Sequence, residues 1–186
     1  MRAIAAADGV AARALQFAVL TAARTSEALG APWSEFDFDA KVWRIPAERM
    51  KARKPHDVPL SAHALAVLDR VRGLDADFVF PSASGDDGAP RPMSNMAMLV
   101  TLSRLELRAR TTVHGLARAT FSTWANERGI ARPDVIEAAL AHVQGDKVRA
   151  AYNRASLDDE RRALLDAWGD YLARDAATVV TLRSAA

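Results

Sequence analysis

A histidine and a tyrosine stand ten residues apart in the segment ALAHVQGDKVRAAYNR, which contains His142 and Tyr152. A tyrosine hydroxyl can attack phosphorus when a neighbouring base or cation lowers the cost of forming the phenolate. A histidine can donate a hydrogen bond to a phosphate or exchange a proton. Taken alone, a tyrosine flanked by Arg149 and Arg154 is most often a half-buried aromatic on a helix. A chemical role therefore depends on which other residues accompany this pair.

Three upstream segments carry cationic and imidazole side chains that suit an anionic substrate. The segment LTAARTSEALG contains Arg24, ERMKARKPHDVPLS contains Lys51, and TTVHGLARATFSTWANERG contains His114 and Arg118. In this order, and together with the histidine–tyrosine segment, they resemble the tyrosine recombinase family, most closely the prophage and genomic-island integrases. The resemblance covers about residues 15–171, nearly the whole chain, and involves six chemically meaningful positions.

The resemblance implies a reaction at a DNA phosphodiester that needs no cofactor. Arg24 and Arg118 would clamp the non-bridging oxygens and stabilise the charge of the crowded phosphorus centre without a metal. His114 would act as the base, and His142 would donate a hydrogen bond to the phosphate. Tyr152 would be the nucleophile, whose ionisation otherwise costs about 4 kcal/mol at pH 7. A covalent 3′-phosphotyrosine link would keep the energy of the broken bond, so rejoining would not require ATP.

A basic stretch between two predicted strands matches the position of the family's general acid. Lys51 at its tip would protonate the departing 5′ oxygen, and a hairpin suits this task because it can reach into a DNA groove. Lys54 is the nearby rival for the role. The resemblance and the local charge predict that five residues contact DNA: Arg49, Arg53, Lys54, Arg149 and Arg154.

Glu27 follows Arg24 by one helical turn and is expected to hold that arginine through an i,i+3 contact. His56 and His63 stand near the predicted hairpin and raise the question of a metal. No pair of histidines has the close helical spacing of a zinc site, and the chain has no cysteine. We therefore expect no metal, and we expect His56 to cap or pair within the sheet.

The second arginine departs from the family pattern, in which it follows the histidine as His-x-x-Arg. Here one extra residue, assigned to Ala117, separates His114 from Arg118, and matching resumes directly afterwards. An added residue turns an α-helix by about 100°, although residues at i and i+4 still share a face. The geometry is therefore strained but not abolished, for instance by a bulge of the first turn, and we predict that Arg118 still points toward the site. The departure puts catalytic competence in question more than fold.

The hydrophobic pattern places these residues in a mainly helical α+β domain. Residues 9–30 and most of the chain from 94 onward repeat apolar side chains at helical spacing. Between them, residues 36–45 alternate as two short strands, residues 49–54 form a hairpin loop, and residues 56–60 form a third strand. The prediction is one small three-stranded antiparallel sheet among helices, in the catalytic-domain fold of the tyrosine recombinases.

The boundaries of the chain suggest how it is organised. We expect the catalytic domain to cover residues 1–174, with residues 175–186 as a tail that is either an exchange segment or disordered. An amphipathic helix is predicted over about 157–173, with Leu164, Leu165, Trp168 and Leu172 on its buried stripe. The chain begins almost at the first catalytic helix, as an excised catalytic domain or truncated gene remnant would.

Composition permits nucleic acid as a partner without requiring it. The formal net charge is only +2, but arginine supplies 21 of the 25 cationic side chains. The chain has no cysteine, signal peptide or membrane-spanning stretch, and a cytoplasmic location is the natural expectation. The resemblance implies double-stranded DNA as partner, and other integrase protomers assembled on it as a synaptic tetramer.

Several readings remain open at this point. The leading hypothesis is a site-specific DNA recombinase or integrase. A second is a DNA-binding remnant in which the extra Ala117 has impaired catalysis. A third is relaxation of DNA in the manner of a type IB topoisomerase, which shares the chemistry. A fourth disregards the resemblance and takes the chain as a helical regulator of unknown ligand.

Overall fold

The computed structural model describes residues 1–82, 91–142 and 154–177, with side chains in the last range from 157 to 174. Helices dominate these ranges, as the sequence predicted. They are α1 (Arg2–Ala6), α2 (Val10–Thr21), α3 (Thr25–Leu29), α4 (Ala62–Asp69), α5 (Met96–Arg104), α6 (Thr120–Glu127), α7 (Pro133–Ala139) and α8 (Arg154–Ala177). Short 3₁₀ turns at Trp33–Glu35 and Ala47–Arg49 and a π-helical turn at Gly115–Ala119 complete the helical elements described.

The predicted three-stranded antiparallel sheet is confirmed. Its strands are β1 (Phe36–Asp37), β2 (Val42–Ile45) and β3 (His56–Pro59), in spatial order β1-β2-β3. Phe36 pairs with Trp43, and Ile45 pairs with His56. Because successive side chains on a strand alternate between faces, Trp43 and Ile45 both point into the core, where each is almost fully buried.

The core forms around α2, which contacts helices on several sides. Phe17 on α2 packs its ring against the rings of Phe36, Trp43 and Phe80. From the other side, the Trp168 indole of α8 donates a hydrogen bond to the Val19 carbonyl at 2.8 Å. The long C-terminal helix is thereby tied to the helix that precedes the first catalytic segment.

The predicted stripe on the C-terminal helix is confirmed, since Leu164, Leu165, Trp168 and Leu172 are all buried. The helix is longer at both ends than the predicted range of about 157–173, because α8 spans Arg154–Ala177. Residues 178–186 lie outside the described part, so the tail stays a prediction. No helix in the described ranges is both long and apolar enough to cross a membrane.

Candidate active site

A cavity of about 460 Å³ collects three of the six predicted site residues. Arg24, His114 and Arg118 line it, together with polar neighbours that include Ser26 and Thr112. We call this space the arginine cavity. Its walls come from the turn between α2 and α3, the start of α5, and the segment leading into the π-helical turn. Residues from distant parts of the chain therefore meet at one cavity.

Arg24 lies in the tight turn between α2 and α3. The chain leaves α2 at Ala22, which has a left-handed conformation (φ +50°), and re-enters helical geometry at Thr25. The Arg24 amide donates to Glu27 Oε2 at 2.9 Å, and its guanidinium donates to Glu27 Oε1 at 2.8 Å. Glu27 is only 2% exposed, so its carboxylate orients both the backbone and the side chain of Arg24. The predicted contact between these residues is present.

A π-helical turn absorbs the extra residue before Arg118. The backbone N–H of Thr120 bonds to the Gly115 carbonyl, the i→i+5 pattern of a π turn, and α-helix resumes at Thr120. A π turn holds more residues than an α turn, so the helix beyond it keeps the register of a shorter segment. Ala117 therefore faces the core, where it is 1% exposed, and Arg118 faces the cavity.

Arg118 is buried and held by backbone carbonyls from two distant segments. Its guanidinium donates to the Ala22 carbonyl at 2.7 Å and to the Leu140 carbonyl at 2.6 Å. Burial and the positive charge of Arg24 lower the Arg118 pKa to about 10, partly offset by Glu27 and Glu137. The group stays cationic at neutral pH, and the cost of its burial falls if a further negative charge enters the cavity.

The His142 side chain contacts the Arg118 guanidinium. Its Nε2 lies 3.0 Å from an Arg118 terminal nitrogen, and its Nδ1 lies 2.7 Å from Glu137 Oε2. A guanidinium can only donate, so Nε2 accepts this hydrogen bond. The hydrogen bond from His142 to a phosphate, which the resemblance implied, stays a prediction; in this structure His142 Nε2 accepts from Arg118.

The predicted general acid lies on a loop with mostly exposed residues that we call the hairpin tip, residues 51–55. Lys51, Arg53 and Lys54 are all exposed there, and Arg53 adopts a left-handed conformation (φ +53°) in the turn. Lys51 is not among the residues that line the arginine cavity. The structure thus brings Arg24, His114 and Arg118 to one cavity and does not bring Lys51 into its lining.

Arg49 was predicted to contact DNA, but the structure engages it internally. Its guanidinium bonds to Glu35 Oε2 and, at 2.5 Å, to the carbonyl of Glu27. The Trp43 indole donates to the same Glu35 carboxylate at 2.8 Å. Arg49 therefore ties the base of the hairpin to α3 and to the sheet. Its predicted contact with DNA stays a prediction.

A second cavity, of about 610 Å³, lies where the hairpin meets α8. Lys54 and His56 line it, with Arg161 on α8. Burial and the charge of Arg161 lower the His56 pKa to about 4, so His56 is neutral at pH 7. Arg161 donates to the Asp57 carbonyl at 2.8 Å and also bonds to Asp158.

Sequence reasoning missed both Arg161 and Glu137. Arg161 precedes Leu164 and Trp168 by three and seven positions, on the apolar face of α8, and a cation on such a face signals a buried partner. Glu137 stands five residues before His142, a spacing that becomes a contact only because the helix ends between them.

Several predicted residues lie outside what the structure describes. These are Arg149, Tyr152 and the side chain of Arg154, although α8 begins at Arg154. Their assignments as DNA contacts and nucleophile stay predictions. In the described ranges, no group of three or more histidine, aspartate or glutamate side chains is arranged to hold a metal ion.

Comparison with known proteins shows which family and which proteins this chain is similar to. The model of the phage integrase family matches residues 2–158. The chain is 42% identical over 165 residues to the prophage integrase IntA of Escherichia coli (strain K12), covering 87% of this chain and 39% of that protein. It is 36% identical over 175 residues to the integrase of Enterobacteria phage P4, covering 86% and 39%.

A third relative, the prophage integrase IntZ of Escherichia coli (strain K12), is 39% identical over 159 residues, covering 84% of this chain and 38% of that protein. The chain thus spans about two fifths of the length of these curated relatives. No solved structure matches it significantly.

Proposed function

This chain belongs to the phage integrase family, and on that premise we propose that it cuts and rejoins DNA through a covalent 3′-phosphotyrosine link at Tyr152. The observation that carries the proposal is the convergence of Arg24, His114 and Arg118 on one cavity. Two guanidinium groups and an imidazole at one opening match the charge and hydrogen-bonding capacity of a phosphodiester.

The electrostatics of the arginine cavity support binding of a phosphate. Glu27 is the buried carboxylate bonded to Arg24, and Arg118 is bonded to neutral carbonyls and to His142. The cationic charge of Arg118 is therefore only partly compensated at close range. Both guanidinium groups are held before substrate arrives, so little reorganisation is needed when charge develops on phosphorus.

The proposed reaction exchanges one phosphate ester for another. Tyr152 Oη attacks phosphorus and its proton passes to His114, while the bond from phosphorus to the 5′ oxygen breaks. Lys51 on the hairpin tip supplies the proton that the departing 5′ oxygen needs. The reverse sequence, with a 5′ hydroxyl attacking the phosphotyrosine, rejoins the strand. Because the number of ester bonds is conserved, no external energy source is needed.

DNA contact beyond the reacting phosphate is assigned to the exposed hairpin tip. Lys51, Arg53 and Lys54 are solvent-facing cations on one short loop, and such residues favour a polyanion at low salt. Double-stranded DNA is therefore the proposed partner, with Arg149 and Arg154 as further contacts. Assembly with other protomers on DNA follows from family membership and stays a prediction.

The proposal is tested by trapping the covalent intermediate. A nicked suicide duplex, whose cleaved fragment diffuses away, should give a protein–DNA adduct that survives denaturant. Tyr152→Phe should remove it. The matched control is Tyr171→Phe, because Tyr171 stacks on Trp124 and Trp168 under the Arg128 guanidinium and serves packing. An adduct that persists in Tyr152→Phe would contradict the assignment.

A second candidate, a DNA-binding remnant, is favoured by the extra residue at Ala117. Under our proposal the π-helical turn has already restored the register. Deleting Ala117 should therefore change the rate of cleavage by no more than about threefold, which corresponds to about 0.7 kcal/mol in activation free energy. Cleavage that appears only after the deletion would favour the impaired remnant. DNA binding without an adduct in either protein would favour it too.

A further inference from the structure

A chain of hydrogen bonds links the end of α7 to Arg118. Glu137 Oε2 lies 2.7 Å from His142 Nδ1, and His142 Nε2 lies 3.0 Å from an Arg118 terminal nitrogen. We propose that Glu137 is a positioning residue: in the protein without DNA it holds His142 in the tautomer protonated at Nδ1 and thereby orients Arg118. For its effect on cleavage, this inference rests on the proposed function; for the tautomer it does not.

The direction of each hydrogen bond follows from what the groups can donate. A guanidinium has five N–H donors and no acceptor, so His142 Nε2 must present a lone pair to Arg118. A neutral imidazole then carries its proton on Nδ1, where the Glu137 carboxylate accepts it. Adding a proton at Nε2 would set two donors against each other at 3.0 Å. The arrangement is self-consistent in one tautomer only.

The local backbone explains why Glu137 reaches His142. Helix α7 ends at Ala139, and Ala141 turns the chain through a left-handed conformation (φ +50°). The His142 amide then donates back to the Glu137 carbonyl at 3.0 Å. Glu137 therefore binds the histidine twice, once through its backbone and once through its carboxylate, and this fixes both the ring position and its rotation.

The same turn binds Arg118 through two groups. The Leu140 carbonyl and His142 Nε2 both accept from one terminal nitrogen, and the Ala22 carbonyl accepts from the other. Three of the five guanidinium N–H groups are thus bonded to described residues, and the guanidinium also lines the arginine cavity. Without His142 as acceptor, the guanidinium could rotate, and its remaining donors would lose their fixed direction.

The Glu137 carboxylate acts on the charge of Arg118 although Glu137 does not line the arginine cavity. Glu137 is not among the residues lining the arginine cavity, yet it partly offsets the lowering of the Arg118 pKa that burial causes. A carboxylate beside the substrate phosphate would repel it, whereas one behind a neutral imidazole supports the arginine from a distance. The geometry separates the orienting carboxylate from the anion that Arg118 is proposed to bind.

The test compares Glu137→Ala, which removes the acceptor, with Glu137→Gln, whose amide oxygen can still accept from Nδ1–H. The control is Glu160→Ala, which removes another surface carboxylate, one that pairs with Arg132 at 2.9 Å. Imidazole ¹⁵N chemical shifts of the 20.1 kDa chain report the tautomer of each histidine, and a His142→Gln spectrum assigns the signal. The rate of adduct formation on the suicide duplex is measured in parallel.

We expect the parent and Glu137→Gln to show His142 protonated at Nδ1. Glu137→Ala should lose that single tautomer and form adduct about tenfold more slowly, the factor that one hydrogen bond to a charged group contributes. Glu137→Gln should stay near the parent rate, and Glu160→Ala should match the parent in both measurements.

Two outcomes would overturn the inference. One is a His142 signal in the parent that shows the proton on Nε2; the other is a Glu137→Ala variant with unchanged tautomer and rate. If the parent forms no adduct, the proposed function fails, and the ¹⁵N spectra alone then decide whether Glu137 sets the tautomer.

Discussion

The arginine cavity and the hairpin tip both carry cationic side chains, but these side chains differ in burial and in the partners that they bond. Arg118 is 4% exposed and bonded to two carbonyls and a histidine, and Arg24 is bonded to a buried glutamate. At the hairpin tip, Lys51 and Lys54 are exposed on a loop without helix or strand. The arginines of the cavity are held by hydrogen bonds, whereas the two lysines of the hairpin tip are exposed to solvent.

The contrast matches what each region is proposed to do. Stabilising charge on phosphorus requires donors that are already oriented, since reorganising them would add to the barrier. Protonating a leaving group requires one cation delivered to the right oxygen, and a loop can move with the DNA. Cations at fixed positions should therefore affect both stability and rate, and cations on the loop should affect rate or binding alone.

The largest effect is expected for Arg118→Lys. An ammonium cannot serve two carbonyls and a histidine in one plane, so adduct formation should fall by about 1000-fold, the upper range for one oriented donor. The free energy of unfolding should also fall by about 2 kcal/mol, because buried acceptors lose their partner. Single-turnover adduct formation and urea denaturation measure these changes. A variant with parent-like rate would remove the distinction between the two regions.

Lys51→Ala should slow cleavage by about 100-fold, the lower range for a general acid, while the free energy of unfolding changes by less than about 0.5 kcal/mol. Lys54→Ala is the matched control, with a smaller effect on rate. A substrate with sulfur in place of the 5′ oxygen needs no proton on departure and should restore the rate of Lys51→Ala. If it restores Lys54→Ala instead, the general acid is Lys54.

The free energy of unfolding should depend on pH because of His56 at the base of the hairpin. Its folded pKa of about 4 lies below the ordinary value of about 6.5, so the unfolded chain binds the proton more readily. Stability is then full above about pH 6.5 and falls as the pH drops toward 4. At pH 5 the loss should be about 2 kcal/mol relative to pH 7. Denaturation curves at both values should show a smaller difference in His56→Gln; an equal difference would point to other groups.

The smallest effects are expected for Arg53 and Arg49, two arginines of the same hairpin. One should change the salt dependence of DNA binding, and the other should change stability. Arg53→Ala should reduce the slope of log affinity against log salt concentration by about 1, with little change in stability, because it removes one phosphate contact. Arg49→Ala should leave that slope unchanged and lower the free energy of unfolding by about 1 kcal/mol, because Glu35 loses a partner. DNA titrations at several salt concentrations check both. A reduced slope in Arg49→Ala would show instead that Arg49 contacts DNA, as the sequence predicted.

Much of the fold was predictable because local spacing determines it. Alternation over residues 36–45 predicted β1 and β2, and the apolar stripe on α8 was identified at its correct positions. The i,i+3 spacing also predicted the Glu27–Arg24 contact. The extra Ala117 predicted a bulge because a helix must either rotate or absorb an added residue, and the π-helical turn is that bulge.

The sequence by itself therefore determined the family motifs, the order of the elements and the contacts between residues a turn apart, since 3.6-residue and 2-residue periods follow from covalent geometry. Only the tertiary structure decided that Arg118 meets Ala22, 96 positions away, that Arg49 is turned inward, and that His142 accepts from an arginine. Such partners are chosen when helices pack and buried polar groups must find whichever donor or acceptor the fold brings near. No periodicity along the chain encodes that choice.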